Sequence, residues 1–136
     1  AGLVDFHTRH KLLLLAHHEG LYRQLGRLVA QAGSRSPAEL AAEYLPLLLK
    51  ALSMKSTVKK HVNVLMHMLG YFKQRLDAWE KQELLQLVQR YAQGQLPLLA
   101  PLTLLGHYVR KYDQTYLAEQ HYLNPHPAEL GLRNHV

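Results

Sequence analysis

The sequence of 136 residues contains no cysteine. Disulfide bonds, thiolate-bound zinc, iron–sulfur clusters and cysteine nucleophiles are therefore excluded for this chain. Long apolar runs are also absent, because the longest, residues 12–16, lies between Lys11 and His17. A helix that crosses a bilayer needs about 20 apolar residues. We therefore expect a cytoplasmic protein without a membrane partner.

Signals for β-strands are missing too, whereas signals for helix starts and ends recur along the chain. Ser36 stands three residues before Glu39, and Asp77 three residues before Glu80, which is the spacing of a capping box. Gly94 is placed to end the helix that starts after Asp77. These signals, with apolar residues at helical spacing, predict an all-α fold.

The apolar pattern divides the predicted fold into about six to seven helices in one compact domain, residues 1–136. We place the helices at about 3–18, 21–31, 37–53, 56–76, 78–93, 98–112 and 114–122. Pro125 and Pro127 predict an extended C-terminal tail from Asn124, because proline is unfavourable inside a helix.

The predicted helix 56–76 has two contrasting faces. At about 100° per residue, the predicted core face consists of apolar side chains: Val58, Val62, Leu65, Leu69, Phe72 and Leu76. The opposite face carries side chains that can donate hydrogen bonds: Ser56, Lys60, Asn63, His67, Tyr71 and Gln74. This second face contains no carboxylate, whereas solvated protein surfaces usually mix both signs of charge.

The net charge of +6 is concentrated in one part of the chain. Residues 44–76 contain no Asp or Glu, yet they contain six cations: Lys50, Lys55, Lys59, Lys60, Lys73 and Arg75. A second acid-free stretch, residues 84–112, combines Arg90, Arg110 and Lys111 with His107, Tyr108 and Tyr112. Cations neutralise phosphates and aromatic rings stack on unpaired bases. A nucleic acid, a protein or membrane partner, and a basic surface without function remain open at this point.

Residues with catalytic or metal-binding chemistry do not form a convincing set. His7, His10 and His17 share one arc of the first predicted helix, and such a spacing is compatible with a metal ion. Asp5 points away from this arc, so we favour ordinary structural histidines and expect no metal site. No serine lies in a nucleophile-elbow sequence. We therefore expect no catalytic residues, and this domain alone is not expected to be an enzyme.

Five segments of the chain are similar to a known bacterial family. They are HTRHKLLLLAH (7–17), YRQLGRLVA (22–30), EYLPLLLKALSMKSTVKKHVNVLMHMLGYFK (43–73), LPLLAPLTLLGHYVRKYD (96–113) and YLNPHPAELGLRNHV (122–136). In this order they resemble the YbgA-like family, over essentially the whole chain. The resemblance implies a helical domain that occurs alone or C-terminal to a domain of the thiouracil-desulfidase type.

The resemblance also implies a division of labour between the two domains. The desulfidase-type domain would hold an iron–sulfur cluster on cysteines and act on 4-thiouridine in tRNA, while the YbgA-like part helps to hold the RNA. Because this chain has no cysteine, no desulfidase residue can be assigned to it. We expect no cofactor in this domain, and an iron–sulfur cluster only in a fused or partner catalytic domain.

These observations predict an RNA-binding accessory domain that holds tRNA for a fused or partner desulfidase. From the charge pattern we predict RNA contacts at the following positions: Arg9, His10, Lys11, Lys55, Lys59, Lys60, Asn63, His67, Tyr71, His107, Arg110 and Lys111. The alternative is a protein-docking or regulatory module that binds a catalytic partner without contacting RNA.

Overall fold

Seven α-helices follow one another in residues 2–124, the part of the chain that the computed structural model describes. They are α1 (Gly2–His17), α2 (Glu19–Val29), α3 (Pro37–Ser53), α4 (Val58–Gly70), α5 (Ala78–Ala92), α6 (Leu99–Lys111) and α7 (Thr115–Ala118). No strand occurs among these residues, so the predicted all-α class is confirmed. None of these helices has the length and apolar composition needed to cross a membrane. The predicted tail beyond Asn124 lies outside the described residues.

The predicted capping residues start two of the helices. The Ser36 hydroxyl accepts a hydrogen bond from the Glu39 N–H at 3.1 Å, and α3 begins directly after it. At the start of α5, the Asp77 carboxylate accepts from the Glu80 N–H at 2.8 Å, and the Glu80 carboxylate accepts from the Asp77 N–H at 3.1 Å. Each bond pairs an N–H that the first turn of a helix leaves without a backbone partner.

Two helices end at a residue in the left-handed backbone region. Gly94, with φ of 77°, follows α5, and Asp113, with φ of 53°, follows α6. In both cases the next N–H donates to the carbonyl five residues earlier, at 2.9 Å and 3.0 Å respectively. This arrangement is the Schellman motif, which pairs the last carbonyls of a helix and reverses the chain. The turn at Asp113 directs the chain from α6 into α7.

Helix α1 lies between two hydrophobic cores. The first core joins α1 to α2 and α3, and its buried residues are Leu14, Leu21, Leu25, Leu28, Val29, Leu40, Tyr44, Leu48 and Ala51. The second joins α1 to α4, α5, α6 and the segment after α7, and includes Leu12, Leu15, Ala16, Leu65, Phe72, Leu84, Leu105 and Tyr122. Residues 12–16 of α1 are therefore apolar on all sides, as expected of a helix segment surrounded by protein.

Helix α4 is shorter than predicted and its buried face is centred differently. His61, Val64 and Met68 are fully buried beside Leu65 and Leu69, so the core face is rotated from the predicted one. The helix ends at Gly70 because the next N–H groups, from residues 71 to 73, bond to carbonyls three residues earlier. These tighter turns bring the chain back to the cap of α5.

The last predicted helix, 114–122, is also shorter and ends at Ala118. The chain after it docks against the middle of α1. The His121 N–H donates to the Arg9 carbonyl at 2.9 Å, and the Gln120 side chain donates to the Thr8 carbonyl at 2.6 Å. These long-range bonds hold residues 119–124 against α1, and helical periodicity cannot reveal them.

Candidate nucleic-acid interface

The exposed side of α4 carries polar side chains at intervals of one helical turn. Lys59 and His67 are exposed, Asn63 is half-buried, and Tyr71 follows at the helix end with 44% of its surface exposed. We call these four residues the α4 row. Lys55 lies before it, exposed in the loop that leads from α3. Four of the predicted RNA-binding residues thus lie along one side of α4, whereas Lys60 does not belong to this row.

Lys60 has a different position from its neighbour Lys59. It is half-buried, and its ammonium donates to the carbonyl of His17 at 2.7 Å and to the carbonyl of Lys55 at 2.8 Å. The first carbonyl belongs to the last turn of α1, where a cation compensates unpaired carbonyls and the negative end of the helix dipole. Lys60 therefore ties α1 to the start of α4, and we leave it out of the candidate surface.

The two neighbouring lysines should respond differently to truncation. We expect Lys60→Ala to lower the free energy of unfolding by about 1–3 kcal/mol, because it removes hydrogen bonds from a charged donor. The same change at the exposed Lys59 should alter it by less than about 0.5 kcal/mol. Urea unfolding of both variants, followed by circular dichroism, measures the difference. Equal stabilities would contradict the structural role of Lys60.

One carboxylate from another helix lies beside the α4 row. The Asn63 amide donates to Glu19 of α2 at 3.1 Å, so the row is not as free of acids as the sequence of α4 alone predicts. Glu19 also forms an ion pair with Arg23 at 2.6 Å. Its hydrogen bond to Arg23 is the main reason why the pKa of Glu19 lies below its ordinary value. The arginine therefore offsets the negative charge of Glu19 locally.

A groove of about 440 Å³ lies between the starts of α2 and α4. Its lining residues are Leu15, His18, Glu19, Gly20, Lys59, Lys60 and Asn63. The Nδ1 atom of His18 accepts a hydrogen bond from the Leu21 N–H at 2.9 Å and caps α2, so this nitrogen has a partner within the fold. Of the two lysines that line the groove, Lys59 is exposed and Lys60 is half-buried, and Lys59 places the groove at the beginning of the α4 row.

The other end of the row is aromatic. The ring of Tyr71 stacks on the ring of Tyr116 from α7, with the centroids 5.1 Å apart and the planes inclined by 23°. The Gln114 side chain donates to the Tyr71 carbonyl at 3.3 Å. Sequence analysis identified Tyr71 but not Tyr116, because the pairing of α7 with the end of α4 depends on the turn at Asp113.

The predicted contacts near the N-terminus are mostly engaged within α1 and its surroundings. Arg9 forms an ion pair with Asp5 at 3.0 Å. The His10 ring lies between Phe6 and His121, at centroid distances of 4.1 Å and 5.1 Å, and its Nδ1 atom is 2.7 Å from the Phe6 carbonyl. Lys11 is half-buried. These residues thus belong to a separate part of the surface, on α1.

The predicted contacts on α6 divide into exposed and paired side chains. His107 and Arg110 are exposed. Lys111 forms an ion pair with Glu80 of α5 at 2.8 Å. Its hydrogen bond, followed by that of Tyr112, lowers the pKa of Glu80 to about 2. Lys111 therefore links α6 to the cap of α5, and Arg110 is the cation of this group without an ion-pair partner among the described residues.

The three histidines considered for a metal site take separate partners. His7 is buried against Tyr44 at 2.9 Å, His10 stacks as described above, and the Nδ1 atom of His17 is 2.8 Å from the Met54 carbonyl. Within residues 2–124, no group of three or more His, Asp or Glu side chains is arranged to hold a metal ion.

Comparison with known proteins assigns the chain to a family. Residues 11–127 match the family described as "Protein of unknown function (DUF1722)". The chain is 37% identical over 134 residues to the "Uncharacterized protein YbgA" of Escherichia coli (strain K12), covering 98% of this chain and 79% of that relative. The chain belongs to the YbgA-like DUF1722 family. No solved structure matches it significantly.

The region that matches the DUF1722 family contains some predicted contacts and omits others. It includes all of α4 and the Tyr71–Tyr116 stack, but it begins after Arg9 and His10. The matched region therefore includes the surface on which exposed cations and aromatic rings occur together, along with most of the fold. We take the α4 row with Lys55 as the candidate interface of this DUF1722 domain.

Sequence analysis missed three buried polar groups of this DUF1722 domain. His7 pairs with Tyr44, His61 pairs with the Tyr122 hydroxyl at 2.6 Å, and Gln120 bonds to α1. For His61 a signal exists, since it lies one turn before Leu65 on the buried face. For the other two no local pattern indicates the partner, because it lies 37 or more residues away in the sequence.

Proposed function

We propose that this DUF1722 domain is a cytoplasmic RNA-binding accessory domain that holds tRNA. The observation that carries the proposal is the α4 row, where an exposed cation, an amide, an imidazole and an aromatic ring follow one another along one helix. The carboxylate that lies beside the row, Glu19, is paired with Arg23. A surface of this kind attracts an anionic polymer and offers hydrogen-bond donors to it.

The side chains of the interface suit different parts of an RNA strand. Lys55 and Lys59 would neutralise phosphates, while Asn63 and His67 can donate to sugars or base edges. Lys60, Lys111 and Arg9 have partners within the fold. We therefore expect about three phosphate contacts, from Lys55, Lys59 and the exposed Arg110 of α6, which is fewer than the number of basic residues in the sequence implies. By the resemblance described above, the catalytic partner would be a desulfidase-type domain that carries its own iron–sulfur cluster.

Binding to tRNA should weaken steeply with salt. About three phosphate contacts correspond to a slope of about −2 to −3 for the logarithm of the association constant against the logarithm of salt concentration. Affinity should therefore fall about 15-fold to 60-fold from 50 to 200 mM salt. Gel shifts with one tRNA transcript, without and with 4-thiouridine, measure the slope for each form. A flat response would contradict the proposal.

A pair of double variants identifies the surface. Lys55→Ala with Lys59→Ala should reduce the magnitude of the salt slope by about two, since each lost phosphate contact removes about one. Lys50→Ala with Lys81→Ala removes the same charge from exposed positions on α3 and α5 and serves as the control. Equal effects of the two double variants would show that net charge, and not the α4 row, determines binding.

A protein-docking module for the desulfidase-type partner is the second candidate. It is favoured by a row of exposed leucines on the outer side of α3: Leu45 at 55%, Leu49 at 60% and Leu52 at 39% exposure. Exposed apolar patches of this kind are typical of interaction surfaces. Such a module would leave both forms of the tRNA unshifted at 50 mM salt, so the experiment above separates the two functions.

A further inference from the structure

The stacked pair of Tyr71 and Tyr116 differs from an ordinary surface contact. Tyr116 is half-buried and packs against the second core. Burial, and after it the neighbouring Tyr71, raises the pKa of the Tyr116 hydroxyl above its ordinary value. Tyr116 is thus anchored in the core, and the ring of Tyr71 stacks on it. Tyr71, in contrast, exposes 44% of its surface, so it is the accessible ring of the stacked pair.

Hydrogen bonds within the fold hold the backbone of Tyr71 in place without a ligand. The Tyr71 N–H donates to the Met68 carbonyl at 3.1 Å, and its carbonyl accepts from the Gln114 side chain. Gln114 follows the left-handed turn at Asp113 and precedes α7. The exposed Tyr71 ring is therefore preorganised, and a planar ligand that stacks on it orders no further segment.

The position of this ring relative to the lysines matches a nucleic-acid strand. Lys59 and Tyr71 are twelve positions apart along α4, which corresponds to about 18 Å. About five stacked nucleotides span the same length. His67 and Asn63 lie between them and can reach the intervening sugars and bases. A strand whose phosphates contact Lys59 can thus place an unpaired base on the ring of Tyr71.

We propose that the Tyr71–Tyr116 stack is a platform for one unpaired base, so that the interface prefers single-stranded RNA over duplex RNA. This inference rests on the proposed RNA-binding function and adds the strand type to it. A base inside a duplex is already stacked on both sides, so only an unpaired base gains from the tyrosine.

The test uses an eight-nucleotide oligoadenylate and a GC-rich RNA duplex of eight base pairs, so that each strand of the duplex carries as many phosphates as the oligoadenylate. Tyr71→Ala should lower affinity for oligoadenylate by about 5-fold to 150-fold, which corresponds to the ~1–3 kcal/mol of one stacked base. Affinity for the duplex should change less than twofold. Tyr71→Leu, which keeps an apolar contact on Tyr116, should lose oligoadenylate binding as well, and Tyr71→Trp should keep it. Trp79→Ala, at a 76% exposed ring on α5, is the control and should change neither affinity.

A fluorescence variant reads the stacking directly. The chain has one tryptophan, so Tyr71→Trp with Trp79→Phe places the only indole on Tyr116, and oligoadenylate should quench its emission. Equal losses for both RNAs in Tyr71→Ala, or unquenched emission on binding, would overturn the platform while leaving RNA binding intact. Salt-independent or absent binding of both RNAs by the natural chain would instead overturn the proposed function.

Discussion

Acid should destabilise this fold by about 3 kcal/mol through one histidine, His7, as the pH falls from 7 to 4. The ring is 2% exposed, and its Nδ1 atom is paired with the Tyr44 hydroxyl at 2.9 Å. Its Nε2 atom has no hydrogen-bond partner among the described residues and faces Gly26 of α2. Burial first, and then the charge of Lys11 and the nearby His10, lower the pKa of His7 from 6.5 to about 4.

The direction of the effect follows from proton binding in the two states. Between pH 6.5 and 4 the unfolded chain binds a proton at His7 while the folded chain does not, so stability falls as the pH falls through this window. Lowering the pKa of His7 from 6.5 to about 4 corresponds in full to about 3 to 3.5 kcal/mol, or about a 300-fold change in the unfolding equilibrium. Well above pH 6.5 the contribution of His7 is constant, and well below pH 4 its loss is complete.

Urea unfolding between pH 4 and 7.5 measures this contribution. His7→Phe should remove about 3 kcal/mol of the pH dependence, because an uncharged ring replaces the titrating one. His107→Phe, at an exposed position of α6, is the control and should retain the full dependence. Imidazole resonances in nuclear magnetic resonance spectra give the pKa of His7 independently. A pKa near 6.5, or parallel pH profiles for the natural chain and His7→Phe, would refute this explanation.

Replacing Gln120 with glutamate should cost about 2–4 kcal/mol at neutral pH. The Gln120 amide, 1% exposed, donates to the Thr8 carbonyl at 2.6 Å and accepts from the Leu12 N–H at 3.2 Å. The Thr8 carbonyl and the Leu12 N–H are four residues apart in α1. In a regular α-helix, groups at this spacing are hydrogen-bond partners of each other. A carboxylate has the same shape but cannot donate, and it would be buried against a carbonyl oxygen.

A second substitution separates the lost donor from the lost contact. In Gln120→Met the side chain makes no hydrogen bond, and Thr8 and Leu12 can pair with each other within α1, so we expect a loss of only about 1 kcal/mol. Relative to this variant, the penalty of Gln120→Glu should shrink at low pH, because a protonated carboxyl group donates again. Unfolding in urea at pH 7 and pH 5 measures both. Equal stabilities of the two variants at pH 7 would show that Gln120 contributes packing alone.

The element boundaries show where local sequence information is sufficient. Ser36, Asp77 and Gly94 act on N–H or carbonyl groups within five residues of themselves, so their patterns correctly predict the helix ends there. The fourth and seventh helices were predicted too long, because their actual ends depend on the return of the chain to α5 and on the docking of residues 119–124 against α1. Contacts between distant segments outweigh periodicity at these two ends.

For the candidate interface, too, some features can be predicted from the local sequence and others depend on contacts between distant segments. The absence of acids along α4 is visible in the sequence, and it led to Lys59, His67 and Tyr71. The sequence does not show that Glu19 of α2 bonds to Asn63, or that Tyr116 supports Tyr71. The sequence also does not distinguish the exposed lysines from the paired ones. Lys60 binds a carbonyl at the end of α1, and Lys111 binds the buried carboxylate of Glu80.

The sequence by itself thus determined the all-α class, the helix caps and the concentration of positive charge around α4, because each depends on residue types and on spacings of a few positions. Only the tertiary structure decided which cations remain available, which ring supports Tyr71, and where His7 and Gln120 are buried. The physical reason is that availability and burial depend on partners supplied by other helices. For Gln120 the partner is 108 positions away along the chain.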